Sequence, residues 1–316
     1  MHPADSARMM ATAVAAVERW GGEPGSLRRI SDSVNHVFTF VSSGERHFLR
    51  LTPGVHRARP QIDAELDFIL YLHGYGVSVC PPIASKGGRL VEELPAEGAS
   101  LFACVFEEAV GETFTFGSSE TNLGHFRLRG RTLGRIHALA KGYAPPENRR
   151  RFKWDEDALL RDVGAYLPRS EKVVWAEYDE LTEWLAARPR DRDCFGLIHG
   201  DFGPTNFRQA GGELSVFDFD DSCYHWFAYD LAVTIYPHGR REGAGALLES
   251  LLEGYTAETA TSPPQVAEFI KLCRLRQLYM FLHYAKAWGL TNLSARQRGW
   301  LDQKRDNMNR GYTLSA

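Results

Sequence analysis

The chain changes character near residue 110, and this restricts it to folds in which a sheet-rich part precedes a helix-rich one. Val37-Phe38-Thr39-Phe40-Val41 and Arg46-His47-Phe48-Leu49-Arg50-Leu51 are β-rich runs, and Ser42-Ser43-Gly44-Glu45 between them suits a hairpin turn. After Pro60, Ile62, Leu66, Ile69 and Leu70 follow helical spacing until Gly74 and Gly76 end it, so one helix interrupts the sheet. Strands are expected again around 88–91 and over 101–106, the latter apolar on both faces and therefore central. Past Gly111, Leu128, Leu133, Ile136, Leu139 and Ala140 share one helical face, and 175–187 and 269–288 behave alike. The reading is α+β, with a sheet-rich part over 1–106 and a helical part over 107–316.

At 316 residues and 44% hydrophobic content, the chain can bury substantial cores. A net charge of -3 gives no global reason to expect a nucleic-acid or membrane partner. Cys80, Cys104, Cys194, Cys223 and Cys273 are scattered, which suggests neither a zinc site nor a disulfide framework, and a reducing cytoplasm fits. The helix-like N-terminal stretch lacks the flank and apolar run of a signal peptide, and no later stretch approaches a membrane span. The Arg149-Arg150-Arg151 run reads as a solvated, exposed connection.

In the helical part, apolar runs at 195–198 and 214–217 flank a loop crowded with polar side chains, Ile198-His199-Gly200-Asp201-Phe202-Gly203-Pro204-Thr205-Asn206, followed by Phe217-Asp218-Phe219-Asp220-Asp221. Phosphoryl transfer from ATP needs a carboxylate on the attacking hydroxyl and oxygen ligands that hold magnesium against the phosphates. Asp201, Asn206 and Asp218 supply these if the strands before Asp201 and Asp218 are hairpin partners.

The His-Gly-Asp, four residues, then Asn pattern, followed by an apolar strand ending in Asp218, resembles the aminoglycoside phosphotransferase and choline kinase superfamily. The run from Asp218 to Asp221 and the Leu-Arg-Leu strand look most like its homoserine-kinase-like branch. The resemblance implies a protein-kinase-like two-lobed fold, with a small antiparallel-sheet lobe carrying one helix and a larger helical lobe. It implies Asp201 as catalytic base, His199 as a brace of the catalytic loop, and Asn206 and Asp218 as Mg2+ ligands. Asp220 is expected on metal or substrate, and Asp230 as a cap or brace of its helix.

A kinase-like small lobe must also bring a cation to the phosphates, paired with a helix carboxylate. Arg50, beside Phe48 on one strand face, and Glu65 fill those places, with arginine where protein kinases carry lysine. No Gly-x-Gly-x-x-Gly loop is present; Ser33 and Asn35 occupy its place, and Glu107 and Ala109 fall where an inter-lobe hinge would meet adenine. Asp221, His225, Trp226, Tyr279 and Tyr284, with Tyr229, Arg274 and Trp288, are candidates for the acceptor pocket, where aromatics and carboxylates together hold an ammonium group. The expectation is an ATP- and Mg2+-dependent kinase of a small-molecule hydroxyl: an amino acid, amino alcohol or aminoglycoside-like acceptor. A serine/threonine protein kinase and a non-catalytic nucleotide-binding protein are the alternatives.

Overall fold

The computed structural model describes residues 3–32, 34–95, 100–260 and 266–315. The chain begins with helix α1 (Pro3–Val17), then strands β1 (Arg28–Asp32), β2 (His36–Ser42) and β3 (Glu45–Pro53), helix α2 (Arg59–Gly74), and strands β4 (Pro82–Ile83), β5 (Glu92–Leu94) and β6 (Leu101–Glu107). The strands form one antiparallel sheet in the order β1-β2-β3-β6-β4, with β5 also on β6. Ser43 and Gly44 close the β2–β3 hairpin with φ of 55° and 83°, the left-handed pair that a two-residue turn requires. β6 is interior, as expected. Its Leu101, Ala103 and Val105 join Ala13, Ala16 and Val17 of α1, while Phe102 and Cys104 join Ile62, Leu66 and Ile69 of α2. The sheet thus carries a helix on each face, one more than expected. The strand expected around 88–91 forms instead at β5, because Ser85 N bonds Arg89 O and Gly88 N bonds Ser85 O in a tight turn just before it.

The second part contains α3 (Ser119–Ala140), α4 (Ala158–Arg161), α5 (Lys172–Ala186), β7 (Phe195–Ile198), β8 (Phe207–Ala210), β9 (Glu213–Val216), β10 (Cys223–Trp226), α6 (Ala228–Ile235), α7 (Ala244–Glu258), α8 (Val266–Trp288) and α9 (Ala295–Arg310). One apolar core runs from α2 through α3, α6 and α8, so the two parts are packed together and not merely tethered. β7 and β9 are not hairpin partners: β7 pairs with β10, and β9 pairs with β8. One hairpin, β8–β9, and one antiparallel pair that encloses it, β7–β10, therefore stand where a single hairpin was expected, and the segments just before β8 and just after β9 bring Asn206 and Asp218 together. Among the described residues no helix is long and apolar enough to cross a membrane.

Candidate active site

On β3 the side chains of Phe48 and Arg50 point to the same side, opposite Phe106 and Cys104 of β6. Glu65 of α2 lies on that side. Arg50 Nη1 and Nη2 each donate to one Glu65 oxygen at 2.8 Å, with both residues buried, and the guanidinium lies 5.1 Å from the centre of the Phe106 ring. Burial works against the charge on Arg50, but Glu65, and then Asp220, outweigh it and raise the pKa well above its ordinary value. The planar fork makes two parallel bonds to the carboxylate, which lysine cannot. Ser33 lies outside the described residues. Asn35 sits half-buried between β1 and β2 with its Oδ1 unpartnered. Glu107 N is bonded to Pro81 O, while Ala109 makes no backbone bond among the described residues.

The loop after β7 is held by its own backbone. Asp201 N donates to His199 Nδ1 at 3.2 Å, so Nε2 carries the proton and donates to Phe217 O at 3.1 Å. Both ring nitrogens are used, and this fully buried ring braces the loop against the segment that carries Asp218. Asp230, buried in the first turn of α6, accepts from His199 N and Gly200 N at 2.8 Å each and from His137 Nε2 at 3.1 Å. It anchors the loop and makes no cap to its own helix.

Asn206 Nδ2 donates to Asp201 O at 2.8 Å and to Asp201 Oδ2 at 3.0 Å, and Phe217 N donates to Asn206 O at 3.0 Å. Asp201 Oδ1 is bonded to Nη2 of Arg276 on α8, whose guanidinium also engages Tyr229. Arg276 was missed in the sequence. Helical spacing places it on the face of Tyr279, three residues on, whereas the Arg274 that was considered reaches Glu177 and Glu180 and ties α8 to α5.

Asp218 adopts φ 65°, ψ 62°, a left-handed conformation that costs a non-glycine residue on the order of 1–3 kcal/mol. Its carboxylate faces open solvent on one side, yet the surrounding walls displace much of its water and push its pKa up to about 7. Asp220, Asp221 and Glu65 add to that rise and Arg50 opposes it. Asn206 Nδ2 is spent on Asp201 and Asn206 Oδ1 accepts from Thr205 Oγ1 at 3.1 Å, which leaves one lone pair of that oxygen, with the Asp218 carboxylate, to a hard cation. One amide oxygen and one carboxylate could hold a hard divalent cation, which would relieve the crowding of negative charge at Asp218.

Asp220 does not join this pair. Its Oδ2 is 2.7 Å from His56 Nε2, its Oδ1 is 3.5 Å from Arg57 Nε, and only about a tenth of its side chain is exposed. Burial works to raise its pKa, but the His56 bond and the charges of Arg57 and Arg50 hold it far below the usual range. The carboxylate expected on metal or substrate forms an ion pair with the loop between β3 and α2, with Oδ1 making no hydrogen bond. Asp221 stays 58% exposed, with Oδ1 3.0 Å from Arg57 Nη2.

The acceptor candidates divide. His225 and Trp226 do not line a pocket: each is 1% exposed. His225 stacks on Tyr229 and is pushed down to about 3 by burial, while Trp226 Nε1 donates to Pro189 O at 2.8 Å. β10 pairs with β7 in the interior, and both faces of that pair are covered, which buries these consecutive residues alike. Tyr284 packs against Trp288 and Trp300, roughly 12 Å along α8 from Arg276 at helical rise. Tyr279 remains. It is half-buried, 5.9 Å from Tyr229, with a pKa raised well above its ordinary value by burial and by Asp157, Tyr229 and Asp221 among its neighbours.

The phosphotransferase enzyme family model matches residues 26–269, more than three-quarters of the chain. The amicoumacin kinase of Bacillus subtilis (strain 168) is 26% identical over 95% of this chain and 92% of its own, and a homoserine kinase of Allorhizobium ampelinum is 27% identical over 84% and 82%. An amicoumacin kinase solved in complex with AMP-PNP, Ca2+ and Ami superposes at TM-score 0.90 with 27% identity, covering 100% of this chain and 98% of that one. A microcompartment-associated aminopropanol kinase, at TM-score 0.75 and 21% identity over 94% of each chain, shares the fold. The two-lobed architecture is thus protein-kinase-like. With its motif loop, its metal-competent oxygens and three-quarters of its length in register with such enzymes, the chain belongs to the phosphotransferase enzyme family and is a kinase.

Proposed function

We propose that the protein transfers the γ-phosphoryl group of ATP, as its magnesium complex, to a hydroxyl of a small amino-bearing molecule. The observation that carries this reading is the bond from Phe217 N to Asn206 O, which sets Asp218 beside the Asn206 that is bonded to Asp201, with the Arg50–Glu65 pair near enough to act on the Asp218 carboxyl. Arg50 supplies a fixed positive charge for the phosphates, and Asn206 and Asp218 would hold the magnesium, which neutralises charge on the phosphates when bound. Asp201 Oδ1 is taken by Arg276, and Oδ2 accepts from Asn206 with one lone pair left. The acceptor hydroxyl therefore gives its proton to Oδ2 as its oxygen bonds to the γ-phosphorus and the bond to the β-phosphate oxygen breaks, releasing ADP.

Acceptor class follows from the rim. Asp221 is open to solvent, Asp157 and Asp221 both act on Tyr279, and an aromatic face beside carboxylates favours an ammonium group. Relatives named for amicoumacin, homoserine and aminopropanol support the same class. No observation favours a protein acceptor. The test is ADP release measured with amino acids, amino alcohols, aminoglycosides and amicoumacin in turn. ADP is expected only where an acceptor is phosphorylated, and Asp201→Ala should lower transfer by roughly 10²–10⁴-fold with nucleotide binding retained. Normal turnover by that variant would reject the base assignment.

A further inference from the structure

Arg151, the last residue of the Arg149-Arg150-Arg151 run, is 1% exposed, while Arg149 and Arg150 are in solvent. The reading of a solvated connection holds for two of the three. The third spends its guanidinium on three carbonyls: Nε donates to Ser222 O at 2.7 Å, Nη1 to Gln61 O at 2.9 Å, and Nη2 to Asp220 O. Burying a cation on carbonyls alone is costly, and burial pushes the pKa of Arg151 down, with Glu65 and Asp220 the carboxylates that offset it.

Those carbonyls belong to the two elements on which the proposed site depends. Gln61 is in the first turn of α2, and in the helical pattern its carbonyl also receives the amide of Glu65. Asp220 and Ser222 are the second and fourth residues after Asp218, in the helical turn that follows its left-handed backbone. Arg57, from the loop entering α2, adds a bond from Nη2 to Asp220 O at 3.0 Å and one to Asp221 Oδ1 at 3.0 Å. Both guanidinium groups lie 5.1 Å from the centre of the Phe152 ring.

Resting on the function proposed above, we infer that Arg151 is a positioning residue: it fixes the helix bearing Glu65, and with it the Arg50 charge, at a set distance from the metal carboxylate Asp218. A flat fork with donors in three directions is required, so a lysine of equal charge does not replace it. Loss of the fork lets α2 and the Asp218 turn move independently, and the requirement for magnesium and nucleotide rises while acceptor affinity does not.

The experiment is calorimetric titration of AMP-PNP across a Mg2+ series, with steady-state kinetics for both substrates, on wild type, Asp218→Ala, Arg151→Lys and Arg57→Ala. For Arg151→Lys the half-saturating Mg2+ concentration and the KM for ATP should rise roughly tenfold or more, with the acceptor KM within about twofold of wild type. A folded Arg151→Lys protein with wild-type Mg2+ dependence overturns the inference. If Arg151→Lys does not fold, Arg57→Ala decides: a raised Mg2+ requirement supports the coupling and an unchanged one overturns it. Where wild type needs Mg2+ and Asp218→Ala removes that dependence, the proposed function stands whatever Arg151 does. A wild type that binds nucleotide without regard to Mg2+ overturns both.

Discussion

Arg276 holds one oxygen of Asp201, and under the proposed mechanism this sets how the carboxylate meets an acceptor. Its guanidinium holds Oδ1, and burial, which works against its charge, is outweighed by Asp201 and Tyr229. Removing it leaves the carboxylate able to rotate away from the line of transfer. A hydrogen bond between charged groups is worth about 1.5–3 kcal/mol, so Arg276→Gln should lower kcat by on the order of 10–100-fold with the KM for ATP little changed, and Arg276→Lys should recover part of the loss. Steady-state kinetics with ATP and acceptor varied separately would show it. A higher KM for ATP at constant kcat would instead place Arg276 on the nucleotide. That Asp201 and Asn206 meet was legible in the sequence because the spacing of the loop limits which side chains it presents, whereas Asp218 comes beside Asn206 through a pairing the sequence did not show. Arg276 was not, because a lone arginine in an apolar helix has several faces available until the helix is docked.

At the scale of elements, α3 and α7 cross so closely that each needs glycine at the contact. A Cβ on Gly130 would lie 1.9 Å from Leu251 O and 2.8 Å from Tyr255 N, and one on Gly254 would lie 1.9 Å from Arg127 O. These are backbone atoms of the partner helix and cannot swing aside. Alanine gains roughly 1 kcal/mol in helix propensity, but overpacking a rigid contact costs typically 1–3 kcal/mol or more, so Gly130→Ala should be net destabilising. Thermal unfolding checks this: a midpoint equal to or above that of wild type would mean the helices separate at little cost. His137 and Tyr255 stand at the same crossing, Nδ1 to OH at 3.1 Å, and His137 reaches Asp230, so a shift of α3 is passed to the carboxylate that anchors the loop after β7. In sequence these glycines interrupt helical patterns without announcing a partner.

For the whole molecule, buried histidines set the behaviour in acid. Burial, with Arg129 next, lowers His125 and His238 to about 4, and burial lowers His225 to about 3 against the opposing charge of Asp230. The unfolded chain takes up protons on these rings near pH 6.5 and the folded one only well below, so unfolding gains protons as pH falls between these values. Their contribution is therefore full above pH 6.5 and is lost as pH drops towards 4, by up to about 1.4 kcal/mol per pH unit for each ring, and the single raised carboxyl of Asp218 offsets part of that loss because the folded chain takes up its proton first. Urea midpoints at pH 7.5 and 5 should show the fall, and His225→Asn should flatten it. Identical slopes in wild type and variant would remove His225 from the account.

The sequence by itself determined the local matters: a hairpin at 42–45, a helix after Pro60, a change from sheet to helix near 110, and the polar loop over 198–206 with its family motif. Each follows from periodicity, turn chemistry or a short motif, which act within a few residues. Tertiary structure alone decided that β7 pairs with β10, that Asp220 turns to His56 and Arg57, and that His225 and Trp226 are core. It also decided where the long arginines reach, since Arg151 finds Gln61 at a separation of 90 positions and Arg276 finds Asp201 at 75. A guanidinium on a flexible stem takes whichever carboxylate or carbonyl the folded chain brings within its reach, and only the packing of distant elements settles which one that is.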